Sequence, residues 1–140
     1  VHTYAIAAPA YTDEMPYAVS ADDFAELVEQ ALAEVPPEFE EMLEDISVEV
    51  LPEPMPRQRR AVGTRRGALL LGLYQGRPLT RRSVMDSGAL PDVIHIFQNN
   101  LQQISSSRED LIRQIRTTVL HEIGHHFGLS EEDLKKLGYG

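Results

Sequence analysis

Residues 121–134 read HEIGHHFGLSEEDL, and fifteen residues follow His125. This stretch restricts the fold more than any other in the chain. A helix turns about 100° per residue, so His121 and His125 lie within about 40° of each other and one turn apart. Two imidazoles so placed can reach one ion at about 2.0–2.1 Å. Glu122 then lies about 100° round from His121, beside the ion rather than on it. A carboxylate there can accept a proton from water that the ion activates. An open zinc site takes three protein ligands. Fifteen residues are expected to leave no room for a distant second helix to bring the third, so the chain must reverse at once.

Gly128 can adopt the left-handed conformation such a reversal needs. In the spacing HExxHxxGxxH the third ligand stands three residues after the glycine, and here that position holds Glu131. A carboxylate is a competent partner for two histidines. Glu132 and Asp133 follow the same turn, and all three acids favour a helix N-terminus. Asp133 is better explained as the capping-box partner of Ser130, which starts a last short helix through Leu137. The spacing therefore favours Glu131, with Glu132 and Asp133 as alternatives.

The motif helix itself starts at Ser106 or Ser107, with Glu109 or Asp110 at the capping-box position, and runs to His126 or Phe127. Leu111, Ile112, Ile115, Val119, Ile123 and Phe127 form one broad apolar side. Gln114, Thr117, Thr118, His121 and His125 form the other, and the two threonines leave room for a cleft floor. His126 points about 100° from His125 and suits a surface or supporting role. His95 fits a satisfied core or rim histidine better than a ligand, and His2 has the weakest case.

Upstream, residues 1–17 carry Pro9 and Pro16 and little periodicity, which suggests a loose or partly docked arm; residues 18–140 read as one domain. Ser20 and Asp23 resemble a capping box before Phe24, Leu27, Val28, Ala31, Leu32 and Val35 at helical spacing. Pro36-Pro37 stops this helix, and a short one follows to about Glu44. Ile46, Val48 and Val50 alternate with polar residues, as in a half-buried strand. Pro52, Pro54 and Pro56 open an Arg-rich loop. The run ALLLGLY, Ala68 to Tyr74, suits a central strand covered on both faces. After a loop to Pro91, DVIHIFQ, Asp92 to Gln98, is expected to be a further strand. The outline is α+β: a small sheet of about three or more strands packed on one long helix.

Composition removes several rivals. At 140 residues and 42% hydrophobic, one globular domain is favoured. The absence of cysteine excludes disulfides, thiolate metal sites and cysteine nucleophiles. No apolar run reaches the length of a membrane span, and a cytoplasmic location is the default expectation. Net charge is −9, yet no Lys or Arg precedes Arg57, and eight arginines stand between Arg57 and Arg82. Such a cluster could meet phosphates, but no nucleic-acid motif accompanies it, so it is read as solvating loops.

Taken together, HEIGHHFG with an acid three residues on, the preceding RTTVL, the closing KKLGYG, and ADDFAELVEQALAEVP, LLGLYQGRPLT and LPDVIHIFQ upstream resemble the minimal zincin family. These are small bacterial predicted zinc metallopeptidases, and the resemblance runs from about Ala18 to Gly140. It implies a zincin-like fold, His121, His125 and Glu131 as zinc ligands, Glu122 as the catalytic residue, and a peptide or protein substrate. The chain departs from the related metzincins in having no Met-turn after the motif and almost no C-terminal subdomain. Substrate contacts are then expected from the upstream strand and the Arg-rich loop, with Asp92 to Gln98 as a candidate edge for an added peptide strand. His95 and Tyr139 are candidate substrate-binding residues, Tyr139 as an oxyanion donor or else as a buried anchor for the tail. The alternative function is a zinc-binding interaction module without turnover.

Overall fold

The computed structural model describes residues 3–8, 16–62, 69–76 and 92–139. Helix α1 (Ala21–Ala33) starts where Ser20 accepts a hydrogen bond from the Asp23 backbone N–H at 3.1 Å. Its apolar stripe of Phe24, Leu27, Val28 and Ala31 is buried. Pro37 opens α2 (Pro37–Leu43), which buries Phe39. Strand β2 (Ile46–Leu51) follows, and then α3 (Pro56–Val62). After β3 (Leu69–Gln75) and β4 (Asp92–Phe97) come α4 (Gln98–Gln103), α5 (Arg108–His126) and α6 (Glu131–Leu137). None of the described helices is long and apolar enough to cross a membrane.

Among the described residues the sheet has four strands in the order β1-β3-β4-β2, where β1 spans Thr3–Ala8. β3 runs antiparallel to both β1 and β4, and β2 runs parallel to β4. Side chains alternate along a strand. Ile94 and Ile96 therefore join Tyr74 in the main core under α1 and α5, whereas Phe97 joins Leu70 and Leu73 in a smaller cluster on the opposite face. The nearly all-apolar β3 is buried through its middle, as expected of a strand with a neighbour on either side. At Gly72 the helix comes very close: a Cβ there would sit 2.6 Å from Thr118 Cγ2.

Four expectations need correction. Thr3–Ala8 is not a loose arm but an edge strand registered against β3, from Thr3 opposite Gln75 to Ala8 opposite Leu69. Its short run lacks the strong apolar alternation that marks a strand, and partner β3 completes its backbone bonding. Nor does the chain divide at residue 17. The Tyr17 N–H donates to the Gln102 carbonyl at 3.1 Å, and the Val19 N–H donates to Gln102 Oε1 at 2.9 Å. Second, the start of the Arg-rich loop is helix α3, anchored by Gln58, which is 1% exposed and accepts from the Met55 N–H. Arg65, Arg66, Arg77, Arg81 and Arg82 lie outside the described residues, as do His2, Ala68 and the segment 77–91. Third, β4 lies between β3 and β2 and presents no free edge. Fourth, the strand expected to reach Gln98 ends at Phe97, and QNNLQQ forms α4 with Gln98, Asn100 and Gln102 buried. Polar residues give this helix no apolar stripe, but their buried side chains are bonded; Asn100 Nδ2 donates to the Leu70 carbonyl at 2.7 Å.

Candidate metal and catalytic site

Helix α5 starts at Ser107, whose hydroxyl accepts from the Asp110 N–H at 3.1 Å. It ends in a Schellman turn. Gly128 takes φ +88°, its N–H donates to the His125 carbonyl at 3.1 Å, and the Leu129 N–H donates to the Gly124 carbonyl at 2.8 Å. Ser130 and Asp133 then form a reciprocal capping box that starts α6. The reversal is pinned by packing. Leu134 is fully buried and lies so close to Gly124 that a Cβ at Gly124 would meet its Cδ2 at 2.5 Å. Glycine inside the motif is thus what allows α6 to dock on α5. A second turn of the same form follows. Gly138 takes φ +92°, its N–H donates to the Lys135 carbonyl, and the Tyr139 N–H donates to the Leu134 carbonyl at 2.8 Å.

These two turns set the chemistry of both histidines. His121 Nδ1 lies 3.1 Å from the Tyr139 carbonyl, and His125 Nδ1 lies 3.1 Å from the Leu129 carbonyl. A carbonyl oxygen only accepts, so each Nδ1 carries the proton and donates it. In the neutral imidazole each Nε2 then presents a lone pair. The two Nε2 atoms lie 3.1 Å apart, and Glu131 Oε1 is 3.2 Å from His121 Nε2 and 2.7 Å from His125 Nε2. Fixing the tautomer through the far nitrogen is how proteins orient imidazole ligands.

Two lone pairs and a carboxylate oxygen facing one another repel unless a cation stands among them. His121, His125 and Glu131 form a group that could hold a metal ion. A tetrahedral ion with bonds of about 2.0–2.1 Å spaces its donors about 3.3 Å apart. Two of the three separations already lie near that value. The third requires a small outward swing of Glu131, whose side chain is 62% exposed. Where a proton rather than a metal stands between Nε2 and the carboxylate, burial works to raise the Glu131 pKa, but the hydrogen bonds and charges of His125 and His121 prevail and hold it below the usual carboxylate range. Asp133 is engaged in the capping box, with Oδ2 3.0 Å from the Ser130 N–H. Glu132 is exposed and lies outside the donor group.

Glu122 occupies a different face of α5. It is fully buried, and neither carboxylate oxygen has a hydrogen-bond partner among the described residues. Burial pushes its pKa up to about 8; the Tyr74 backbone N–H, near but outside hydrogen-bond geometry, offsets only part of this, and the charge of Glu131 adds to it. His126 stacks on Tyr74 with ring centroids 4.2 Å apart and planes at 22°, and the Tyr74 hydroxyl donates to Asp92 Oδ2 at 2.5 Å.

Several expected features are placed differently. The second half of α5 is wrapped on nearly all sides: Thr118, Leu120, His121, Glu122, Ile123 and Gly124 are all buried. Thr118 packs toward Gly72 rather than flooring a cleft, and Phe127 is 49% exposed rather than part of the apolar side. His95 lies on the far face of the sheet, because β4 alternation turns it away from α5. There it meets Glu49 through Nε2 at 3.1 Å and Gln58 through Nδ1 at 3.0 Å. It is thus separated by the sheet from the histidine pair, and so is α3 with Arg57, Arg59 and Arg60, through the bond from Gln58. Tyr139 is placed as an anchor, its ring edge-on to Phe39 at 5.7 Å and its carbonyl on His121. Tyr74 and Asp92 have no distinguishing mark in the sequence. The carbonyls of Leu129 and Tyr139 have one: each follows a glycine that closes a helix.

A long helix carrying two oriented imidazoles and a buried carboxylate, seated on a mixed sheet and closed by an acid beyond a glycine reversal, defines an α+β domain organised around a metal-type donor set. The chain belongs to the zincin-like metallopeptidase family, whose model matches residues 43–140. Among solved structures it is similar to a conserved hypothetical protein from Thermo thermophilus, with 26% identity over 84% of this chain and 99% of that one and a TM-score of 0.53. Comparison with curated proteins gives no match.

Proposed function

We propose that this protein is a zinc-dependent peptidase. The observation that carries the reading is the convergence of His121 Nε2, His125 Nε2 and Glu131 Oε1, with Glu122 buried one residue after the first ligand. Two imidazoles and one carboxylate suit zinc, and these three residues would hold it. Bound there, zinc would supply Lewis acidity for a substrate carbonyl and lower the pKa of water at the site. The rest falls to the chain. With the cation favouring its ionised form, Glu122 would receive the proton from the attacking water and return it to the leaving amine. The Leu129 and Tyr139 carbonyls keep both imidazoles in the ligating tautomer. A peptide substrate would align by adding to a sheet edge. β1 is the edge strand beside Tyr74, with Tyr4 in register opposite it, and so the nearer candidate.

Zinc content, chelator competition and a broad peptide library test this together. Cleavage should disappear on chelation, return with zinc, and be lost in Glu122→Gln while zinc stays bound. Unchanged hydrolysis in that variant would sink the mechanism. One feature favours a second reading, a zinc-binding module without turnover: His121 is only 8% exposed, with the Tyr139 carbonyl on its Nδ1. Silence across the library at full zinc occupancy would favour that reading.

A further inference from the structure

The faces of α5 divide the labour. His121 and His125 look toward residues 129–139. Thr118, Glu122 and His126, spaced four apart, share another face, and that face lies on β3. Thr118 fits against Gly72, the Tyr74 N–H approaches the Glu122 carboxylate, and the His126 ring lies on the Tyr74 ring. Tyr74 is fully buried, so it does not reach a substrate. Besides its backbone pairing with β1 and β4, its side chain bonds through the hydroxyl to Asp92 on β4 and stacks on His126 one turn beyond Glu122. His126 Nε2 in turn faces Asp92 Oδ2 at 3.9 Å. Tyr74, Asp92 and His126 thus tie the last turn of α5 to the two central strands, directly beside a carboxylate whose own oxygens have no hydrogen bond among the described residues to hold them.

We propose that Tyr74, clamped between Asp92 and His126, is a positioning residue for Glu122: it sets the depth at which the carboxylate sits beside the donor set. The role rests on the peptidase reading for its catalytic meaning, but the clamp itself does not. No hydrogen bond among the described residues fixes the carboxylate oxygens, so packing against Tyr74 is left to set their place. A displacement of about 1 Å in a reacting group can cost on the order of 100-fold in rate.

Tyr74→Phe removes the hydroxyl bond and keeps the stack; His126→Leu removes the stack and keeps the hydroxyl bond. In the zinc-loaded full chain, each should lower kcat about 10-fold or more at little-changed KM and zinc affinity. A second readout needs no activity. In urea unfolding of the chelated chain, Tyr74→Phe and Glu122→Gln should be non-additive by about fivefold or more in the unfolding constant. Coupling without any wild-type hydrolysis would leave the clamp standing and remove the peptidase reading. Additive effects within about twofold, or a hydrolysing Tyr74→Phe with kcat within about twofold of wild type, would overturn the clamp. Asp92→Asn, which keeps an acceptor for the tyrosine, should restore most of the activity that Asp92→Ala loses.

Discussion

Glu122→Gln should change the stability of the metal-free protein in a manner set by pH. Glu122 is fully buried with no hydrogen-bond partner among the described residues, and burial pushes its carboxyl from 4.5 to about 8. Between those values the folded chain keeps a proton that the unfolded chain has released. The folded pKa is the raised one, so its stabilising contribution is complete below about pH 4.5 and is lost as pH rises through about 8. At about 1.4 kcal/mol per pH unit, the full span is worth about 5 kcal/mol. That is comparable with the whole stability of many domains, about 5–15 kcal/mol. Glutamine does not ionise and escapes the loss. Urea unfolding of chelated wild type and variant between pH 5 and 8.5 isolates the effect, because every other titrating group is common to both. The variant should match wild type near pH 5 and exceed it by several kcal/mol at pH 8.5. Saturating zinc should shrink the difference, since a nearby cation favours the carboxylate. A difference that stays flat with pH would refute burial as the origin of the shift.

Other substitutions probe the neighbouring geometry. Glu131→Gln should weaken zinc binding by at least the about 10–100-fold that losing an outer-shell partner costs, read by chelator competition, whereas Glu132→Gln should leave it within a few-fold. Gly124→Ala places a methyl against Leu134; although alanine favours a helix by about 1 kcal/mol, α6 should be displaced and zinc affinity should fall, with far-UV helix content retained. Ser130→Ala removes half of the capping box and should cost about 1 kcal/mol in denaturant unfolding. Gly72→Ala should destabilise by about 1–3 kcal/mol through the clash with Thr118 Cγ2, and adding Thr118→Ser should recover much of the loss.

Local chemistry makes a large part of the protein legible in its sequence. Ser20, Ser107 and Ser130 announce their helices because a hydroxyl before an acid three residues on meets an orphan backbone donor within a single turn. His121, Glu122, His125 and Glu131 come from spacing along one helix and one reversal, interactions that never leave a span of eleven residues. The features that stay hidden depend on distance. β1 is a strand because β3 lies beside it, and β4 is central because β2 pairs with it in parallel; neither neighbour is visible in a local pattern. In the sequence His95 is a core or rim histidine and candidate substrate contact and His126 a surface or supporting residue, yet strand alternation sends one to the far face while the helix carries the other onto Tyr74. What the sequence by itself determined is the donor set and the turn that closes it. Tertiary structure alone decided what surrounds them: the carbonyls that select the imidazole tautomers, and the sheet that removes water from Glu122. Ligand spacing is a property of one helix, whereas tautomer and ionisation depend on the field and solvent exclusion supplied by segments distant in the chain.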